Sequence, residues 1–163
     1  MLKLTLCLFL LVAASCRSYP LYKQCDGRWG SEQLGTSSDT ICSAGCAMSS
    51  VAMGLSGCGH SFNPSTFNQW LKGHGGYVNG DDLIWGSVSP LGFNFRGKVS
   101  NDRIQPNLDV GNVVVVNVHN GGHWVLATGY SGSTIYVNDP GYQTTAYDLS
   151  QIVNGQNVIY TPV

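Results

Sequence analysis

The sequence predicts an α+β fold in which N-terminal helices pack on a C-terminal antiparallel β-sheet. Apolar residues recur at three- and four-residue steps from Ala44 to Leu55, which is the period of an amphipathic helix. From Val113 onward, four runs rich in β-branched residues are separated at first by short turns containing Asn, Gly and Ser. Helices followed by strands are typical of an α+β domain.

Composition indicates one compact domain and excludes polyanionic partners. The chain has 163 residues, of which 43% are hydrophobic and 10% charged, and its formal net charge is -1. A chain of this length can bury one continuous core. Because no run of Lys or Arg is present, we expect no nucleic-acid partner and no attachment of the mature form to a membrane surface. We expect the protein to be a monomer.

The first 18 residues are typical of a secretory signal peptide. Lys3 precedes an apolar run from Leu4 to Ala14, and small residues follow up to Ser18. This run is too short to span a bilayer. A lipoprotein signal ending in "AASC" is a weaker alternative. The prediction is a signal peptide over 1–18 and a secreted domain over 19–163, in a compartment where disulfides form.

The elements are predicted as follows. The helix that begins near Ala44 ends at Gly57. A second helix begins with Asn63 as its cap and Pro64 in its first turn. A third, short helix is expected from about Asn79, carrying Leu83, Ile84 and Val88. The predicted strands are "VVVVNV", "HWVLATGY", "TIYVND" and "NVIYTP".

Cys46 occupies the most reactive position that the sequence offers to a cysteine. It lies at the start of the first predicted helix, where unsatisfied N–H groups and the helix dipole both favour a thiolate. Gly45 before it leaves room for a substrate carbonyl, and the backbone N–H of Cys46 could bind a developing oxyanion. Cys42 lies before the helix, so we interpret it as structural.

A base and an orienting acid are predicted from the strands. His123 stands at the start of one strand, just after a Gly-Gly turn, and Asp139 follows the end of the next strand. In an antiparallel pair, the start of one strand lies beside the end of its neighbour. The geometry that a Cys-His-Asp constellation needs is therefore expected. Structural roles, for His123 on its strand and for Asp139 in an Asp-Pro-Gly turn, remain the simpler alternatives.

These motifs resemble the C39-like peptidases of the papain-like cysteine peptidase superfamily. The resemblance extends over nearly the whole mature chain, through "QCDGRWG", "AGCAMSSVAM", "NPSTFNQWLKGHGGY", "GGHWVLATGY" and "VNDPG" in that order. It implies a papain-like fold with the nucleophile helix packed on the sheet. It also implies that Cys46 is the nucleophile, His123 the base, Asp139 the orienting acid and Gln24 the side-chain oxyanion donor.

The function that follows is that of a secreted cysteine peptidase acting on a peptide or protein substrate without a cofactor. One alternative is a cell-wall peptidoglycan amidase or endopeptidase that uses the same residues. Another is a secreted binding module of the same fold without activity. Zinc bound through "CSAGC" and "HNGGH" is disfavoured, because the two histidines straddle a predicted hairpin turn. We therefore expect no metal.

The disulfide pairing is constrained by the length of the first helix. A rise of about 1.5 Å per residue carries Cys58 too far from Cys42 for a bond. If Gln24 points into the site, Cys25 points away from it near the same helix end, so we predict a Cys25–Cys42 pair. Cys58 is then free, or pairs with Cys16 if the signal is cut before Cys16.

Overall fold

The computed structural model describes Cys16 and residues 18–163, and it has the predicted α+β architecture. The predicted signal peptide, apart from Cys16 and Ser18, lies outside the described residues. Helices in the first half of the chain pack on a six-stranded sheet formed by the second half. No helix of the described part has the length and apolar character needed to cross a membrane. The α-helices are α1 (Ile41–Ala44), α2 (Cys46–Gly57), α3 (Pro64–Gly73) and α4 (Ile104–Asp109).

The main sheet is antiparallel throughout, with strand order β3-β8-β4-β5-β6-β7. A separate two-stranded hairpin, β1 with β2, lies between α3 and the sheet in the sequence. The strands are β1 (Tyr77–Val78), β2 (Asp82–Leu83), β3 (Phe93–Val99), β4 (Val113–Val118), β5 (His123–Ser131), β6 (Thr134–Asn138), β7 (Ala146–Asp148) and β8 (Asn157–Pro162).

Strand β4 lies at the centre and is buried on both faces. Its alternate side chains enter two different cores, as the twofold period of a strand requires. Val113 and Val115 pack into the core beneath α2 and α3, whereas Val114 and Val116 pack into a second core on the opposite face. The continuous apolar run "VVVV" is therefore typical of a strand covered on both sides.

Both long predicted helices and all four predicted strands are present. The third predicted helix is wrong, because Asn79 and Gly80 adopt positive φ angles of 55° and 102° and turn the chain into the β1–β2 hairpin. Leu83 lies in β2, and a 3-10 helix follows over Trp85–Leu91. The Asn-Gly pair is a strong hairpin signal that a helical interpretation overlooks. Helices α1 and α4 and strands β3 and β7 were not predicted.

Two disulfides connect the described residues. Cys25 is bonded to Cys42, as predicted, and Cys16 is bonded to Cys58. The second bond corresponds to the alternative in which the signal is cut before Cys16. Cys46 is the one free cysteine of the described residues.

Candidate active site

Cys46 is the first residue of α2, as the sequence predicts. The short helix α1 precedes it, and a reciprocal capping box between Thr40 and Ser43 caps the N-terminus of α1. Gly45 joins the two helices, and a Cβ atom on it would lie 2.5 Å from the carbonyl oxygen of Ile41. The close approach of the chain to itself therefore requires a glycine at this position, and the room that Gly45 leaves for a substrate carbonyl stays a prediction.

The N-terminal end of α2 carries unsatisfied donors. The N-cap, Gly45, has no side chain with which to accept hydrogen bonds, and the Ser49 N–H donates to the Gly45 carbonyl at 2.9 Å. The N–H groups of the first turn precede this bond and have no acceptor one turn back within α2. Together with the helix dipole, they favour negative charge at the position of Cys46.

His123 and Asp139 are joined by a short hydrogen bond. Nε2 of His123 lies 2.7 Å from Oδ1 of Asp139, and both residues are buried. His123 begins β5, and Asp139 directly follows β6, whose last residue, Asn138, pairs with Leu126 of β5. The antiparallel register brings the two side chains together, as the sequence analysis predicted from strand order.

His123 and Cys46 line the same cavity, and the Cys46 side chain contributes to the pKa of the His123 ring. Because Nε2 is bound to Asp139, Nδ1 is the ring nitrogen that remains for Cys46. Burial lowers the pKa of His123, but the hydrogen bonds to Asp139 and Cys46 outweigh burial and raise the pKa to about 9. The site therefore favours the imidazolium form of His123 at neutral pH.

Asp139 is held as a carboxylate by four donors. Its Oδ1 accepts hydrogen bonds from His123 and from the backbone N–H groups of Gly141 at 2.8 Å and Tyr142 at 2.9 Å. Its Oδ2 accepts a bond of 2.8 Å from the Tyr147 hydroxyl. Burial raises the pKa of Asp139, but the donors, His123 first, outweigh burial and lower the pKa below its ordinary value.

The segment before α1 brings Gln24 to the same site. Gln24 is buried, its backbone N–H donates to the Pro140 carbonyl at 2.9 Å, and Nε2 of its side chain donates to the Cys42 carbonyl at 2.7 Å. Nζ of the neighbouring Lys23 donates to the Asp139 carbonyl at 2.7 Å. An amide nitrogen carries two hydrogens, so Nε2 of Gln24 keeps one for a further acceptor.

Two cavities meet at Cys46. The smaller, of about 300 Å³, is lined by Gln24, Cys46, His123 and Tyr142. The larger, of about 530 Å³, is also lined by Cys46, together with residues that include Ser43, Asp81, Leu83, Trp85 and Trp124. Three of the four predicted residues therefore line one cavity, and Asp139 lies behind His123.

Several residues near the site were not anticipated. Tyr147 binds Asp139 from the edge strand β7, Lys23 binds the loop after β6, and Tyr142 packs edge-on against the His123 ring at 5.0 Å between centroids. Of these, only Tyr142 has a signal in the sequence, because it follows the Asp-Pro-Gly turn directly. Lys23 and Tyr147 are brought in by long-range contacts.

Metal ligation through the cysteine pair is excluded by covalent structure. Cys42 is bonded to Cys25 and cannot supply a thiolate beside Cys46. His119 directs Nε2 toward the Tyr147 hydroxyl, 3.3 Å away. Across residues 18–163 and Cys16, no group of three or more His, Cys, Asp or Glu side chains is arranged to hold a metal ion.

Comparison with known proteins identifies the family. The sequence model of the Peptidase_C39 like family matches residues 17–160. The chain belongs to this family. A comparison with curated protein sequences finds no match. Membership of the C39-like family supports a function of the cysteine peptidase type.

Solved structures show the same fold as this C39-like chain. One is a double glycine motif protease from an AMS/PCAT transporter in complex with the leader peptide; it has a TM-score of 0.60 and 16% identity, over 93% of this chain and 96% of that chain. Another is a C39-like peptidase from Bacillus anthracis, with a TM-score of 0.55 and 14% identity, over 74% of this chain and 90% of that one. The predicted papain-like α+β fold is thereby confirmed.

Proposed function

We propose that this C39-like protein is a secreted cysteine peptidase whose nucleophile is Cys46. The observation that supports this most strongly is the cavity that Cys46, at the start of α2, shares with Gln24 and with a His123 that is bonded to Asp139. A nucleophile, a base in contact with it and a group that orients the base are the requirements of covalent catalysis.

The reaction follows from these positions. In the resting pair the Cys46 proton is already on His123, and the thiolate attacks the carbonyl carbon of the substrate. The resulting oxyanion accepts hydrogen bonds from the second hydrogen of Gln24 Nε2 and from the first-turn N–H of α2. His123 then gives its proton to the leaving amine, and water hydrolyses the acyl-enzyme. Asp139 holds the ring so that Nδ1 faces the sulfur. These steps need no cofactor.

The substrate is a peptide or protein segment that crosses both cavities. One structure with the same fold contains a bound leader peptide, which supports a peptide substrate here. The larger cavity, with Trp85 and Trp124 in its wall, receives one side of the scissile bond, and the cavity beside Gln24 receives the other. We propose that the protein acts as a monomer.

Secretion is supported by the two disulfides, because such bonds persist in oxidising compartments. The proposed signal peptide would end before Cys16 rather than at residue 18, since Cys16 is bonded to Cys58 within the domain. Edman sequencing of the secreted protein, with an N-terminus at or before Cys16 expected, tests this boundary.

To test the proposed activity, the protein is treated with a limiting dose of iodoacetamide, and the alkylated cysteines are identified by mass spectrometry. We expect Cys46 to be alkylated first, and we expect Cys46→Ala to abolish hydrolysis of fluorescein-labelled casein while the circular dichroism spectrum is unchanged. Purified peptidoglycan is tested in parallel, and cleavage of it alone would identify a cell-wall enzyme. An active Cys46→Ala protein would overturn the assignment. Cleavage of neither substrate would favour a binding module.

A further inference from the structure

Tyr147 lies directly behind the candidate Cys46-His123-Asp139 constellation. It belongs to the edge strand β7, pairs with Ile135 of β6 and is 4% exposed. Its hydroxyl donates to Oδ2 of Asp139 at 2.8 Å. Nε2 of His119, 3.3 Å from the hydroxyl, is placed to donate to the oxygen of Tyr147. A phenol can donate one hydrogen and accept others, so both contacts are compatible.

The two carboxylate oxygens of Asp139 accept different numbers of hydrogen bonds. Oδ1 accepts hydrogen bonds from His123 and from two backbone N–H groups. Oδ2 accepts one from Tyr147, which is its only donor among the described residues. Asp139 is 1% exposed. A buried carboxylate oxygen without a donor carries a large desolvation cost. Tyr147 therefore both stabilises the charge of Asp139 and fixes the rotation of its carboxylate plane.

We propose that Tyr147 is a positioning residue, which acts on the Cys46-His123 pair through Asp139. This inference rests on the proposed function, because it assumes that Asp139 orients His123. Tyr147 does not line either cavity beside Cys46 and so has no direct route to a substrate.

The hydroxyl keeps its proton over the working range of the enzyme. Burial, and then the hydrogen bond to Asp139, raise the pKa of Tyr147 to about 12. Tyr147 is consequently a donor, not an acceptor, toward the carboxylate at every pH at which a cysteine peptidase operates. The groups that face this carboxylate are His123 and the phenol, with His119 beyond the phenol and Lys23 bound to the backbone carbonyl of Asp139.

The test is the pH dependence of Cys46 alkylation by iodoacetamide, which needs no substrate. In Tyr147→Phe, the Asp139 carboxylate is no longer fixed in its rotation, so its hydrogen bond to His123 is less well aligned and the imidazolium that accompanies the thiolate is less stabilised. We expect the midpoint of alkylation to move toward alkaline pH by about one unit, the lower end of the scale of one hydrogen bond to a charged group. Hydrolysis of labelled casein should fall several-fold.

The matched control is Tyr77→Phe. The Tyr77 hydroxyl also donates a partly buried hydrogen bond, of 2.9 Å to Oδ1 of Asn68, but it makes no contact with the constellation. Tyr77→Phe should lower the melting temperature without moving the alkylation midpoint. If Tyr147 had a merely structural role, its variant would behave in the same way.

The path through Asp139 is tested by a double-mutant cycle. In an Asp139→Ala background, Tyr147→Phe should cause no further shift of the midpoint. A shift that persists in that background, or a Tyr147→Phe profile that coincides with the parent while Asp139→Ala is shifted, would overturn the inference alone. An Asp139→Ala profile that coincides with the parent would remove the proposed role of Asp139 and the inference with it.

Discussion

At the scale of single residues, we expect the His123 ring to determine the pH range of the proposed activity. Burial lowers its pKa, and the bonds to Asp139 and Cys46 raise it from the ordinary 6.5 to about 9. The imidazolium that the proposed mechanism requires is therefore lost as the pH rises through about 9. We predict a bell-shaped profile of kcat/KM with its alkaline limb near pH 9. An alkaline limb near 6.5 would mean that His123 titrates without these partners.

The same shift makes a prediction for stability. Because the pKa of His123 is higher in the folded than in the unfolded chain, its contribution to the free energy of unfolding is complete below pH 6.5 and is lost as the pH rises through about 9. The difference in unfolding free energy between the parent and His123→Ala should therefore shrink over that interval. Guanidinium denaturation at pH 6 and pH 10 measures this difference. A difference that is larger at pH 10 than at pH 6 would contradict the prediction.

Gly141 is a second residue on which the ring depends. A Cβ atom at this position would lie 2.9 Å from Cε1 of His123 and 3.4 Å from Oε1 of Gln24. We expect Gly141→Ala to displace the imidazole and lower kcat/KM by at least about 10-fold, since displacements near 1 Å are costly in catalysis. Gly27→Ala, whose Cβ would meet nothing within 4 Å, is the control. Equal activity of both variants would show that the ring tolerates the methyl group.

At the scale of elements, the site depends on the distance between α2 and the sheet, because α2 carries Cys46 and β5 carries His123. Gly54 of α2 sets this distance: a Cβ atom there would lie 2.9 Å from Cγ1 of Val113. We predict that Gly54→Val costs about 1–3 kcal/mol of unfolding free energy by overpacking and also reduces hydrolysis. Gly73→Val, in open space at the end of α3, should leave hydrolysis unchanged. Denaturant titration and the casein assay distinguish the two effects.

At the scale of the whole molecule, two disulfides restrict the unfolded chain to different extents. Cys16–Cys58 closes a loop with a sequence separation of 42, and Cys25–Cys42 closes one of 17. Loop-closure entropy predicts stabilisations of about 4 and 3 kcal/mol. The Cys16→Ser, Cys58→Ser variant should therefore lose about 1 kcal/mol more in guanidinium denaturation than the Cys25→Ser, Cys42→Ser variant. The reverse order would indicate that residual structure or native strain, rather than loop length, decides.

The sequence by itself determined the fold class, the position of Cys46 at the start of a helix, and the meeting of His123 with Asp139. Each of these depends on local periodicity, or on the rule that antiparallel neighbours place a strand's start beside another's end. The rise of a helix excluded a Cys42–Cys58 bond, and the Cys25–Cys42 pair followed from the expectation that Gln24 points into the site. Cys46, His123 and Asp139 could thus be named before the fold was known, and Gln24 was added by the family resemblance; the roles of all four stay predictions.

Only the tertiary structure decided which groups surround that constellation. Tyr147 reaches Asp139 from a strand of three residues, too short to show a period, and Lys23 binds a loop 116 residues later in the chain. The third predicted helix failed because the Asn79-Gly80 turn outweighed an apolar pattern that fits more than one structure. Contacts of this kind depend on the packing of distant segments, and a local pattern carries no information about them.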